Sequence, residues 1–106
     1  PTTHHAGVWG PDWAGGAAVE GYPGLIDHCY TGWSQRAVLT APGQPDTTIT
    51  ASPECRWLHI YIPPGQGFLC VEPCASRPNP FGEGETGMAT LQPGQSRSIW
   101  MQVVTA

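Results

Sequence analysis

Residues 56–74, RWLHIYIPPGQGFLCVEPC, hold two apolar runs separated by a Pro-Gly link. In the first run Trp57, His59 and Tyr61 alternate with Leu58, Ile60 and Ile62. Successive side chains of a strand point to opposite faces, so one face is wholly aliphatic and the other is aromatic with one polar handle. His59 therefore either reaches a pocket or is hydrogen-bonded within the sheet. In the second run Phe68, Leu69, Cys70 and Val71 read as a short buried strand, which Pro73 is expected to stop by removing a backbone donor. Glu72 is thereby delivered at a strand end. A buried acid without a basic partner has its pKa pushed up toward the range useful for proton transfer, which makes Glu72 the leading catalytic candidate. The alternative is a solvated glutamate at a strand-to-loop junction. Cys70 and Cys74 lie at even offsets from Glu72 and are expected to line the same pocket, unless Pro73 breaks the register.

Working outward, RAVLTA (36–41), a PGQPD turn, TTITAS (47–52) and a break at Pro53 lead into this pair, and GMATL (87–91), a Pro93-Gly94 turn and SRSIWMQVV (96–104) follow it. The short β-branched or aromatic runs and the Pro-Gly links predict an antiparallel meander closed by a final hairpin. No window sustains an apolar period of 3.6, and with 14 Gly, 12 Pro, 5 Trp and only 11 % charged residues the chain is poor in helix formers. The expected class is all-β, and 106 residues make one domain at most.

Upstream, residues 25–33, LIDHCYTGW, set an acid among apolar and aromatic neighbours, where burial is costly without a hydrogen bond. Asp27 is either a structural turn acid or a ligand-binding carboxylate. In an extended chain Asp27 and Cys29 share one face and His28 points to the other, so Asp27 and His28 have separate roles. Residues 1–24 show no period and are expected to form a long, mostly irregular loop. Within it His4 and His5 are a metal or acid-base pair or simply surface residues, and Trp9 and Trp13 stack on a sugar ring or anchor the loop. Residues 82–85, GEGE, read as a flexible acidic patch.

Charge excludes several partners. The four basic residues, Arg36, Arg56, Arg77 and Arg97, are scattered and offer no stripe for a phosphate backbone, so nucleic acid is not expected. A net charge of −4, no basic amphipathic helix and no spanning apolar run argue against a membrane. We expect a soluble, cytoplasmic protein. The four cysteines, Cys29, Cys55, Cys70 and Cys74, permit a disulfide framework, but free thiols are favoured, and no Cys-x-x-Cys or close His-x-x-x-His pair suggests a metal. The start at Pro1, with no methionine or leader-like segment, reads as an excised piece or a processed product, and the C-terminus as native.

Five pieces, in order, resemble the C-terminal part of an aldose 1-epimerase of the galactose mutarotase family: PTTHH at the start, LIDHCYTGW, the YIPP turn, FLCVEPCASRPNPF, and TGMATLQPGQSRSIWMQV. The resemblance covers nearly the whole chain and implies an antiparallel β-sandwich of the galactose mutarotase type, of which residues 1–106 would be the C-terminal portion. It places the family's general base on Glu72 and its sugar-hydroxyl-binding acid on Asp27. The implied reaction interconverts the α and β anomers of a free monosaccharide such as glucose or galactose, by proton transfers that need no metal or organic cofactor. The family's acid is a histidine, and with a second histidine it belongs to segments upstream of Pro1; His4, His5, His28 and His59 do not match those motifs. Later strands alone would leave a long edge and an apolar face uncovered, so a complementary chain or missing N-terminal segment is expected. A non-catalytic carbohydrate-binding relative and a disulfide-stapled secreted β module stay open as alternatives. A phosphosugar epimerase would need clustered cations, which four scattered arginines do not supply.

Overall fold

The alternation of residues 57–62 is realised as the middle strand of a sheet in the computed structural model, which describes residues 24–77, 81 and 86–106. The strands are β1 (Ile26–Tyr30), β2 (Arg36–Leu39), β3 (Thr47–Ala51), β4 (Trp57–Ile62), β5 (Cys70–Cys74) and β6 (Met101–Thr105). They form two antiparallel three-stranded sheets, β1-β4-β5 and β2-β3-β6, and the described residues contain no helix. The aliphatic face of β4 carries the core: Leu58 and Ile60 pack with Ile26 and Tyr30, and Trp33, Ile62 and Val71 close around them. Fully burying one such side chain stabilises the fold by about 1.5–3 kcal/mol.

The two sheets are successive halves of one three-armed ribbon. Antiparallel pairing runs from Ile26↔Ile62 to Tyr30↔Leu58 and resumes at Arg36↔Thr50. Six positions separate Tyr30 from Arg36 on one arm and eight separate Thr50 from Leu58 on the other, so the register steps by two at the bend. Trp33 Nε1 donates to the Cys55 carbonyl at 2.8 Å, and the Ala51 N–H donates to the Gln35 carbonyl at 3.1 Å, tying both crossing segments together. The third arm flanks both central strands: β5 pairs with β4, and β6 pairs with β3. Buried Ser52 extends the second pairing, its N–H donating to the Trp100 carbonyl and its Oγ accepting from the Trp100 N–H at 3.2 Å. The Pro42-Gly43 and Pro93-Gly94 turns share one geometry. In each, Gly has a positive φ (73° and 86°) and the following Gln N–H donates back three residues, as in a type II turn with Pro leading.

Several expectations need correcting. Pro73 does not end a strand; it sits inside β5, opposite Leu58. The reason is position, because β5 is the outer strand of its sheet, and an edge tolerates a missing donor that a central strand would need. Glu72 is accordingly in mid-strand, while Phe68 and Leu69 precede the strand. The meander does not run continuously, since β3 and β4 belong to different sheets. GMATL is not a strand, and β6 pairs with β3, far away in sequence, with no local hairpin partner. Residues 1–23, with His4, His5, Trp9 and Trp13, and residues 82–85 lie outside the described residues.

β6 is also an outer strand, and all five of its residues are exposed. Ile49 on β3 is buried, yet its cross-strand partner Val103 is 54 % exposed, as is Trp100. Among the described residues, cover over this sheet therefore stops at β3.

Gly87 fixes the return of the chain toward the first sheet. Its φ is +82°, and a Cβ there would overlap the Trp57 ring and the Ala75 carbonyl oxygen. The adjoining Thr86 carbonyl accepts from the Arg77 N–H at 2.9 Å. Gly87→Ala is expected to cost about 2–3 kcal/mol of unfolding free energy by denaturant titration, from backbone strain plus overlap. Gly43→Ala, with a positive φ but open space around it, should cost about 1 kcal/mol. Equal losses at the two positions would refute the packing assigned to Gly87.

Candidate functional site

Opposite the core, the other face of β1-β4-β5 carries chemistry. The pleat and register bring Asp27 and Cys29 of β1, Trp57, His59 and Tyr61 of β4, and Cys70, Glu72 and Cys74 of β5 to this side. A concavity of about 440 Å³ opens there, lined by Asp27, His59, Tyr61, Glu72, Cys74, Ser76 and Arg77. Glu72 and Asp27, distant in sequence, thus share one wall system with a tyrosine between them. Glu72 and Cys74 both line it, so Pro73 leaves the period intact; Cys70, paired with Tyr61, does not line it.

Asp27 and His59 are joined directly, His59 Nε2 to Asp27 Oδ1 at 2.7 Å. A carboxylate accepts and does not donate, so Nε2 carries the hydrogen. Both side chains are partly open, at 23 % exposure for His59 and 30 % for Asp27. Across the β4–β5 ladder the Cα partner of His59 is Glu72. Glu72 is exposed, so the burial expected to raise its pKa is absent. His28 turns to the other face, its ring edge-on to Tyr30 at 6.1 Å, as period-2 alternation required.

The thiols report the electrostatics. All four cysteines are free, which leaves a disulfide-stapled module without its staple. Burial pushes the Cys29 thiol up to about 12, Cys74 adds to the rise and Arg77 opposes it. Cys74 is raised by burial and then by the negative charge of Glu72, while its Sγ donates to the Glu72 carbonyl at 3.3 Å. The concavity thus sets carboxylates beside a guanidinium and an imidazole over a floor containing Tyr61. That lining offers hydrogen-bond acceptors and donors beside an aromatic ring. No group of three or more His, Cys, Asp or Glu gathers for a metal ion among the described residues.

Sequence reasoning reached Asp27 and Glu72 but not the Asp27–His59 bond, Ser76 or Arg77. The face of each strand was readable from alternation. The β1–β4 register, which sets Asp27 diagonal to His59, was not, because nothing local encodes it.

At pH 8 a thiol with a pKa of about 12 is roughly 10⁻⁴ thiolate, against about a tenth for one at the ordinary 9.0. Iodoacetamide should therefore label Cys29 roughly 10³-fold more slowly in the folded protein than in the denatured chain, as read by peptide mass spectrometry. Because folding raises this pKa, its contribution to stability is full below pH 9 and is lost as pH climbs toward 12. Labelling of Cys29 at the denatured rate would contradict its placement.

No family model, curated protein or solved structure matches the chain.

Proposed function

We propose that this chain is the C-terminal part of an aldose 1-epimerase with a galactose mutarotase-type β-sandwich, acting on a neutral free hexose. The observation that carries this reading is that Asp27 and Glu72 line one concavity with Tyr61. Asp27 faces Tyr61 and Glu72 faces His59, so the two acids lie two strand spacings across and two residues along β4, their strand positions roughly 12 Å apart. One pyranose hydrogen-bonded at both ends spans that distance. Glu72 takes the proton from the C1 hydroxyl while an acid protonates the ring oxygen; the C1–ring oxygen bond breaks to give the open-chain aldehyde. Rotation about C1–C2 and reclosure yield the other anomer, and each proton returns. Asp27 accepts from a sugar hydroxyl and holds the ring in register.

The acid belongs to a histidine of an upstream segment. The exposed apolar surface of β6 and Trp100 supports such a segment, because among the described residues Val103 and Met101 lack the cover that their partners Ile49 and Ala51 have. A non-catalytic sugar-binding relative is the second reading, favoured by the exposure of Glu72.

Polarimetry on freshly dissolved α-glucose or α-galactose separates the two in the protein that includes the upstream segment. Glu72→Gln keeps shape and an acceptor oxygen but cannot take a proton, so turnover should fall by ~10²–10⁴-fold with sugar affinity little changed. Asp27→Asn weakens a charge-assisted bond and should raise KM. Near wild-type turnover in Glu72→Gln would end the assignment of Glu72 as base.

A further inference from the structure

The Asp27–His59 bond lies on the open face of the sheet, away from the core, and joins two partly exposed side chains. Exposed ion pairs contribute little to stability, so the consequence of this one lies in the concavity it borders. We propose that His59 is a positioning residue for Asp27. This rests on the reading of Asp27 as the sugar-hydroxyl ligand and assigns to His59 a role that the family resemblance does not.

The geometry is specific. His59 sits on the central strand, held by ladders to both β1 and β5, which makes its backbone the best-fixed of the three elements lining the site. Asp27 lies on an outer strand. With Nε2–H of His59 donating to Oδ1 at 2.7 Å, the carboxylate is held in one orientation and Oδ2 remains to accept from a sugar hydroxyl. Without that bond Asp27 would have to give up side-chain freedom each time it binds a sugar, and the loss appears in affinity. His59 is also the Cα partner of Glu72, so the backbone that carries the bond to Asp27 is paired with the strand that carries the base, while the imidazole itself touches only Asp27 of the two acids.

The test uses the protein that includes the upstream segment, with sugar affinity by calorimetry and KM and kcat by polarimetry. His59→Ala should raise KM and the sugar dissociation constant about 10-fold while kcat stays within about 2-fold, the pattern of lost ground-state binding. His59→Gln, whose amide N–H can replace the imidazole donor, should recover most of the affinity. The double variant Asp27→Ala, His59→Ala should bind no worse than Asp27→Ala alone, because without the carboxylate His59 has nothing to position. Unchanged affinity in His59→Ala, failure of His59→Gln to recover it, or additive losses in the double variant would each overturn the proposal. A fall in kcat without a rise in KM would also do so and would make His59 a proton-transfer group. These results differ from failure of the epimerase reading, which would show as no mutarotation in the unsubstituted protein or full turnover in Glu72→Gln.

Discussion

Everything described depends on β3 and β4 each being paired with a strand on both sides. A strand with two neighbours cannot slip without breaking two ladders and turning its apolar set to the wrong face. In β4 the set is Leu58, Ile60 and Ile62, and Ile60 and Leu58 are buried among Ile26 and Tyr30. The same constraint holds His59 and Tyr61 on the opposite side. Core and concavity are thus two readouts of one alternation, and burial on one face is what aims the other.

The side chains around the concavity illustrate how much a rigid ladder accomplishes without burial. Glu72 is presented by a strand in mid-course, not at its fraying end, and its neighbours are set by pairing with β4. Pro73 directly beside it removes a backbone donor and restricts the chain, further limiting the local backbone. The acid gains placement while keeping its solvent. Cys74 shows the complementary case, a group whose surroundings oppose ionisation because burial and the charge of Glu72 act in the same direction.

Much of this was legible in the amino-acid sequence, for identifiable reasons. The run WLHIYI announces its two faces through composition alone, and the Pro-Gly links at Pro42 and Pro93 announce turns through backbone chemistry. Period-2 alternation correctly separated Asp27 from His28. Pro73 misled because whether a proline ends a strand depends on having an outer neighbour, a tertiary fact. The 86–100 stretch misled because a turn between two apolar runs usually makes a hairpin, whereas here the second run pairs with β3 and the turn stands alone. Ser52 capturing Trp100 on both its N–H and its Oγ is the event that decides this, and no pattern near either residue signals it.

The third arm leaves the central one after Cys74, opposite Trp57, and rejoins it at Trp100, opposite Ser52. Departure and return are separated by a few residues of the central arm, although a long excursion lies between them. Closing such an excursion costs entropy that grows only logarithmically, about 0.6 kcal/mol for each doubling of its length. Insertions and deletions between Gly87, which is packed on Trp57, and Trp100 can therefore be accommodated while both ladders keep their register. Since Ser76 and Arg77 at its root line the concavity, changes in the excursion can reshape that wall without rebuilding the ribbon.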